Sequence, residues 1–180
     1  MLIKTVFSGF GGQGVIMMGY LLATAGMYEE KNVTCLPSYG AEVRGGTANC
    51  TVVVSTEEIA SPVASEPEFA VLMNHPSLFR FQNQVQSGGT IFLNSSMIEA
   101  RPIRGDLEIV EVPLNDLAKQ LAENKALNVI MLGAFIKRSG LVSLETMVRV
   151  LKDTFANRSQ GIFKLNKAAL QLGYDYLTEC

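Results

Sequence analysis

Two glycine-rich stretches carry the residue types and spacings that could do chemistry in this chain. The first is GFGGQG at Gly9–Gly14. An apolar run, Leu2–Phe7, precedes it and reads as a strand, and Val15–Ala25 follows and reads as a helix. A strand, a glycine turn and a helix N-terminus in succession make an anion site. The first N–H groups of the helix lack intrahelical acceptors, and the aligned peptide dipoles favour negative charge there. Glycine lets the turn take positive φ and lets a ligand or a second backbone approach closely. Gly9, Gly11 and Gly14 fit G-x-G-x-x-G, a spacing that also occurs in purely structural turns. A ligand-facing loop, a subunit-facing loop and a structural turn all stay open at this point.

A dinucleotide site would need an acidic residue at the end of the second strand, to hold the ribose hydroxyls. That strand is expected at Val33–Leu36, and Pro37, Ser38, Tyr39 and Gly40 follow it. The nearby acids, Glu29 and Glu30, come before the strand. An NAD site therefore lacks its ribose partner, while Arg44 leaves an NADP 2′-phosphate as a minor alternative.

The second stretch is LPSYGAEVRGGTANC at Leu36–Cys50. A helix would be the usual link between parallel strands, but Pro37, Gly40, Gly45 and Gly46 oppose one. Loops at the carboxyl ends of the strands of a doubly wound sheet gather over one crevice. This loop and Gly9–Gly14 are therefore expected on one rim. The planar fork of Arg44 suits a phosphate or a carboxylate. Pairing with Glu42, or plain hydration, is the bland alternative.

Composition narrows the function classes. The chain has 180 residues, a net charge of −2, 48% hydrophobic and 18% charged residues. A charged fraction below the usual quarter or so suggests apolar surface covered by a partner. No basic stripe is available for nucleic acid, and no apolar run is long enough for a membrane span. With the first strand starting at the N-terminus, a cytoplasmic protein is expected. Cys35, Cys50 and Cys180 form no C-x-x-C, so neither an iron–sulfur cluster nor a structural zinc is expected on this chain. Cys35 and Cys50 read as buried thiols in strands. His75, the sole histidine, precedes Pro76 and reads as a helix start. Ser8, Ser38, Ser55, Ser95 and Ser96 have no histidine near them in sequence, and the carboxylates are scattered. No catalytic constellation emerges, and Met17 and Met18 read as packing.

Elements must position these loops. Strands are expected at Thr47–Ser55, Glu68–Asn74, Thr90–Asn94 and Leu107–Val112, with Ala48, Cys50, Val52 and Val54 on one face. Helices are expected from His75 to about Val85, at Leu114–Leu121, and at about 127–138, 143–155 and 159–177. Strands alternating with helices predict an α/β fold: one domain over 1–180, with a Rossmann-like, doubly wound, mainly parallel sheet flanked by helices.

Three segments together, GFGGQGV at Gly9–Val15, LPSYGAEVRGGTANC at Leu36–Cys50 and Ser61–Pro62, resemble the gamma subunit of 2-oxoacid:ferredoxin oxidoreductases. The likeness is strongest over residues 1–75 and loose after about 125. Its wording is closer to the 2-oxoglutarate and branched-chain 2-oxoacid branches than to the pyruvate branch. The resemblance implies a multisubunit enzyme that oxidatively decarboxylates a 2-oxoacid to an acyl-coenzyme A. Thiamine diphosphate and iron–sulfur clusters would lie on alpha, beta and ferredoxin-like delta partners, with ferredoxin as the acceptor. Carried over residue by residue, Gly11, Gly12, Gln13 and Gly14 would meet coenzyme A phosphates or the alpha subunit, with Tyr39 and Arg44 beside them. The isolated chain would be inactive and could pair with itself. The alternative is a stand-alone nucleotide-binding module or an NADP-dependent reductase.

Overall fold

A computed structural model describes residues 1–40, 46–63, 65–121, 126–156 and 158–178. Glu42, Arg44 and Cys180 lie outside the described residues. The elements are β1 (Leu2–Phe10), α1 (Val15–Tyr28), β2 (Asn32–Tyr39), β3 (Thr47–Ser55), β4 (Phe69–Leu72), α2 (His75–Phe81), β5 (Thr90–Asn94), β6 (Glu108–Val112), α3 (Leu114–Ala118), α4 (Leu127–Ser139), α5 (Leu144–Thr154) and α6 (Gln160–Tyr176). The sheet order is β2-β3-β1-β4-β5-β6. β1, β4, β5 and β6 are parallel, while β3 runs antiparallel to both β1 and β2. β2 thus points the same way as β1, and the sheet is mainly parallel.

The central strands FAVL and TIFLN are apolar and almost wholly buried, as strands covered on both faces must be. β1 runs three residues beyond the expected Phe7, because β3 continues to pair with it as far as Phe10 opposite Thr47. β2 likewise runs through Pro37 to Tyr39. Proline is tolerated there because β2 is an edge strand. β2 and β3 pair antiparallel, so they are joined by a hairpin connection and not by a crossover, and no helix is needed between them.

The two faces of the sheet are covered unequally. On one, α2 supplies Leu78 and Phe81 to a core with Val6, Ala70, Leu72, Ile91 and Leu93. On the other, α1, α4, α5 and α6 build the larger core, which includes Ala48, Cys50, Val52 and Val54. Phe135 of α4 anchors this layer. Its ring meets Phe7, Phe92 and Phe69 edge-on, at centroid distances of 5.5, 5.4 and 5.6 Å. α4 and α6 cross backbone to backbone at Gly133 and Gly173. A Cβ on Gly173 would lie 2.7 Å from the Ile130 carbonyl carbon and 3.1 Å from the Ala134 nitrogen.

Capping fixes the helix starts. Asn74 Oδ1 accepts from the Ser77 N–H at 3.0 Å at the head of α2, where His75 packs its ring on Phe79. At the other end of the larger layer, Glu29 ties the end of α1 to the head of α5. Its carboxylate accepts from Lys31 Nζ at 2.8 Å and from the Ser143 N–H at 2.7 Å. Burial alone would raise the Glu29 carboxyl, but the hydrogen bonds from Lys31, Ser143 and Thr146 outweigh it and bring it down to about 2. No described helix is long and apolar enough to cross a membrane.

Two outcomes test this packing. Gly173→Ala should cost about 1–3 kcal/mol, by forcing α6 off α4, and lower the denaturant midpoint without changing strand content. Glu29 is depressed from an ordinary 4.5, so its contribution is complete above that pH and lost as pH falls towards about 2. Glu29→Gln should flatten the acid limb of the stability profile by about 1–2 kcal/mol relative to the parent, read from denaturant curves at stepped pH.

Candidate functional site

The antiparallel β3 places both glycine-rich loops at the carboxyl end of β1. Phe10 pairs with Thr47 and Tyr39 with Ala48, so the two loops leave the sheet side by side. The Gly11 N–H donates to the Gly46 carbonyl at 2.9 Å and the Gly40 N–H to the Thr47 carbonyl at 2.8 Å. The expectation of one shared rim is met by direct backbone contact.

Within the first loop, Gly12 has φ 102° and Gly14 has φ 74°, left-handed conformations that favour glycine. Gly14 is the N-cap of α1 and brings no capping side chain, and the first turn holds no acidic residue. The first bond within α1 is Met18 N–H to the Gly14 carbonyl, so the N–H groups of Val15, Ile16 and Met17 lack an intrahelical acceptor. No acidic side chain within the first turn compensates the positive end of the helix dipole.

A cavity of about 250 Å³ opens at this helix end. Phe10, Gly11, Gly12 and Gly14, with Val15 and Ile16 of α1, form one wall, and Tyr39 and Ala48 form the other. Tyr39 is 57% exposed, so its phenol is accessible from solvent. Pockets that enclose a whole cofactor run from roughly 300 to 1,000 Å³. This one has room for a phosphate-sized anion and an adjoining piece of a longer molecule.

Gln13 is placed differently from its neighbours. Its side chain turns back over the sheet and does not line the cavity. Oε1 accepts from the Phe10 N–H at 2.7 Å and from Asn74 Nδ2 at 3.0 Å, while Nε2 donates to the Met73 carbonyl at 3.2 Å. The amide braces the carboxyl ends of β1 and β4 against the cap of α2. Gly9 makes room for it, since a Cβ there would lie 2.6 Å from Gln13 Oε1. Sequence reasoning missed Asn74 as the second half of this brace, although its place before His75–Pro76 marks a helix cap. Asn128 was missed as well. It stands in the first turn of α4, with Nδ2 3.5 Å from the Gly14 carbonyl, and nothing local in the sequence singles it out.

The structure thus brings Gly11, Gly12, Gly14 and Tyr39 together, turns Gln13 to the scaffold, and does not describe Arg44. A dinucleotide would meet a rearranged sheet. The second strand of its binding unit normally lies next to the first, yet here β3 occupies that place and β2 ends in Tyr39. Among the described residues, no three His, Cys, Asp or Glu side chains are grouped to hold a metal ion. Cys35 and Cys50 sit with sulfurs 3.3 Å apart, two donors where a cluster needs about four.

If the brace holds the loop, Gln13→Ala should leave the Phe10 N–H and the Asn74 amide unpaired. The expected loss is about 1–3 kcal/mol of unfolding free energy, measured by urea titration. An unchanged midpoint would show that the amide is dispensable to the scaffold.

A family model described as pyruvate ferredoxin/flavodoxin oxidoreductase matches residues 4–176. The chain is 35% identical to the ketoisovalerate oxidoreductase subunit VorA of Methanothermobacter thermautotrophicus, over 98% of this chain and 37% of that one. It is 31% identical to the 2-oxoglutarate synthase subunit KorC of Methanothermobacter marburgensis, over 96% of this chain and 95% of that one. It spans little more than a third of the VorA relatives and nearly all of KorC. Among solved structures, it superposes with a TM-score of 0.91 on a 2-oxoglutarate:ferredoxin oxidoreductase from Magnetococcus marinus. That structure was determined with 2-oxoglutarate, coenzyme A and succinyl-coenzyme A bound. The match is 20% identical and covers 99% of this chain and 31% of the other.

Proposed function

The chain belongs to the pyruvate ferredoxin/flavodoxin oxidoreductase family, and from that membership we propose that it works as the gamma component of a cytoplasmic 2-oxoacid:ferredoxin oxidoreductase. Its substrate would be 2-oxoglutarate or a branched-chain 2-oxoacid, the substrate classes in the names of the relatives KorC and VorA. The chain serves as a single domain beside alpha, beta and delta partners. Those partners supply thiamine diphosphate and iron–sulfur clusters, and among the described residues of this chain no three His, Cys, Asp or Glu side chains are grouped to hold a metal ion. Coenzyme A is the acyl acceptor of such a reaction, and its pyrophosphate is the anion that the glycine-loop cavity suits.

The observation that carries this reading is the cavity at the uncapped head of α1. N–H groups at a helix start bind phosphate through their dipoles and need no reorganisation to do so. Tyr39 contributes a phenol opposite them, and Arg44, on the connection after Tyr39, would add a cation to the same rim. Gln13 acts as a positioning residue that keeps the turn open. The cavity is too small to enclose coenzyme A, so the rest of the molecule extends towards a partner.

The outer face of α1 supports a partner on that side. Met17, Tyr20 and Met27, at helical spacing, are 37%, 50% and 61% exposed. A stripe of this kind on one helix face suits a protein surface better than water. The chain contributes binding and assembly, and among the described residues the cavity is lined by Phe10, Gly11, Gly12, Gly14, Val15, Ile16, Tyr39 and Ala48, with no carboxylate, histidine or thiol.

Reconstitution tests the proposal. The purified chain should not oxidise 2-oxoacids, and addition of alpha, beta and delta subunits should restore coenzyme A-dependent reduction of ferredoxin. A charged hydrogen bond is worth roughly 1.5–3 kcal/mol, so Arg44→Ala should raise the KM for coenzyme A about 10- to 100-fold in the assembled enzyme. Tyr39→Phe should raise it only a few-fold, as loss of a neutral bond near 1 kcal/mol implies. If either change leaves that KM untouched and instead dissociates the subunits, the rim is an assembly surface.

A further inference from the structure

Cys35 and Cys50 are a feature that the coenzyme site does not use. They lie 15 residues apart in the chain, on the adjacent strands β2 and β3, with Sγ atoms at 3.3 Å. Cys35 pairs with Val52 and Cys50 with Pro37, so the thiols are diagonal neighbours on one face of the hairpin. α1 crosses that face at Gly19, where a Cβ would come within 3.0 Å of Cys50 Cβ. The bare glycine is what lets the helix seat directly on the Cys50 sulfur. Cys50 is fully buried, while Cys35 is half-buried on the edge strand. Of the two cysteines, Cys35 is therefore the one nearer solvent, on the edge strand, and Cys50 lies behind it.

The chemistry of the pair is asymmetric in the same sense. Hydrogen bonding from the Cys50 thiol favours the Cys35 thiolate and lowers its pKa below the usual thiol value. Giving that bond, together with burial, pushes Cys50 up. A partly exposed cysteine whose thiol is the more acidic of the two, in contact with a buried thiol, is the arrangement of an attacking and a resolving cysteine.

We propose that Cys35 and Cys50 form a redox-active dithiol, in which Cys35 attacks hydroperoxides and Cys50 resolves the product into a disulfide joining β2 to β3. In the first step the Cys35 thiolate forms an S–O bond with one peroxide oxygen as the O–O bond breaks. The departing hydroxide or alkoxide takes up the proton that Cys35 had released, leaving water or an alcohol and a sulfenic acid. In the second step the Cys50 sulfur attacks the Cys35 sulfur and the S–O bond breaks. The leaving hydroxide takes the Cys50 proton as water. Two thiols lose two electrons and one hydroperoxide gains them. Closure asks the sulfurs to move from 3.3 Å to a bond of about 2.05 Å, a shift of side-chain torsions and a small strand adjustment. The bridge would pin the strand that carries Tyr39 and so stiffen one wall of the cavity. That consequence rests on the proposed coenzyme site, whereas the thiol chemistry stands without it.

The test uses the Cys180→Ser chain, so that the terminal thiol does not contribute. Hydrogen peroxide in slight molar excess should remove both remaining thiols together, lower the intact mass by about two mass units, and yield a linked Cys35–Cys50 peptide. Dithiothreitol should restore both thiols. In a chain that also carries Cys35→Ser, the buried Cys50 should react at least about 10-fold more slowly. Retention of both thiols would overturn the proposal, as would oxygen additions without a disulfide, or a disulfide between two chains. An unchanged rate in the Cys35→Ser chain would overturn the assignment of roles.

Discussion

The insertion of β3 between β1 and β2, antiparallel to both, is the constraint on which the rest of the carboxyl rim depends. In an all-parallel arrangement the strand after the first βα unit would sit next to β1, and its connection would cross behind the sheet. Here β2 is displaced by one strand, to the edge, and returns directly through a hairpin. That single change delivers the second glycine-rich loop to the side of the first, where Gly11 and Gly46 are joined through their backbones. It also puts Tyr39 across from the head of α1. The glycine motif keeps its strand–turn–helix geometry and loses the neighbour that would make it a dinucleotide site.

Four of the six loop residues are glycine and bring no side chain, so the order of the turn rests on the side chain of Gln13. Gln13 supplies that order through one amide, which reaches Phe10, Met73 and Asn74 at once. The same Asn74 caps α2. One small polar network therefore joins β1, β4, α1 and α2 below the rim. Above it the first turn of α1 remains free of acidic residues and capping side chains. The division of labour is physical: polar side chains fix the turn from beneath, and backbone dipoles face the cavity.

Much of the fold was legible in the sequence, because the signals were local and redundant. Strands β3 and β5 and helices α4, α5 and α6 fall within a residue or two of where β-branched content and apolar periodicity placed them. The glycine turn was legible as well, since a strand, glycines and an apolar helix in succession leave few alternatives. The ends of β1 and β2 were not, because Gly9 and Pro37 are poor strand formers in isolation and are extended by pairing with β3. The scaffold contacts of Gln13 were not legible for a related reason. An amide suits a ligand and a backbone equally well, and only the positions of Met73 and Asn74, some sixty residues away, decide between them. The proximity of Cys35 to Cys50 likewise depends on strand register, which a hydrophobic pattern does not specify to the residue.

The central claim is that backbone groups at the head of α1 bind the anionic part of coenzyme A. Amide hydrogen exchange of the assembled enzyme, followed with and without saturating coenzyme A, addresses those groups directly. Slowed exchange confined to the peptide spanning Gly11–Met17 and to the segment around Tyr39 is the predicted result. Exchange there that slows on subunit assembly and does not change when coenzyme A is added would contradict the claim, and would make the loop a docking surface.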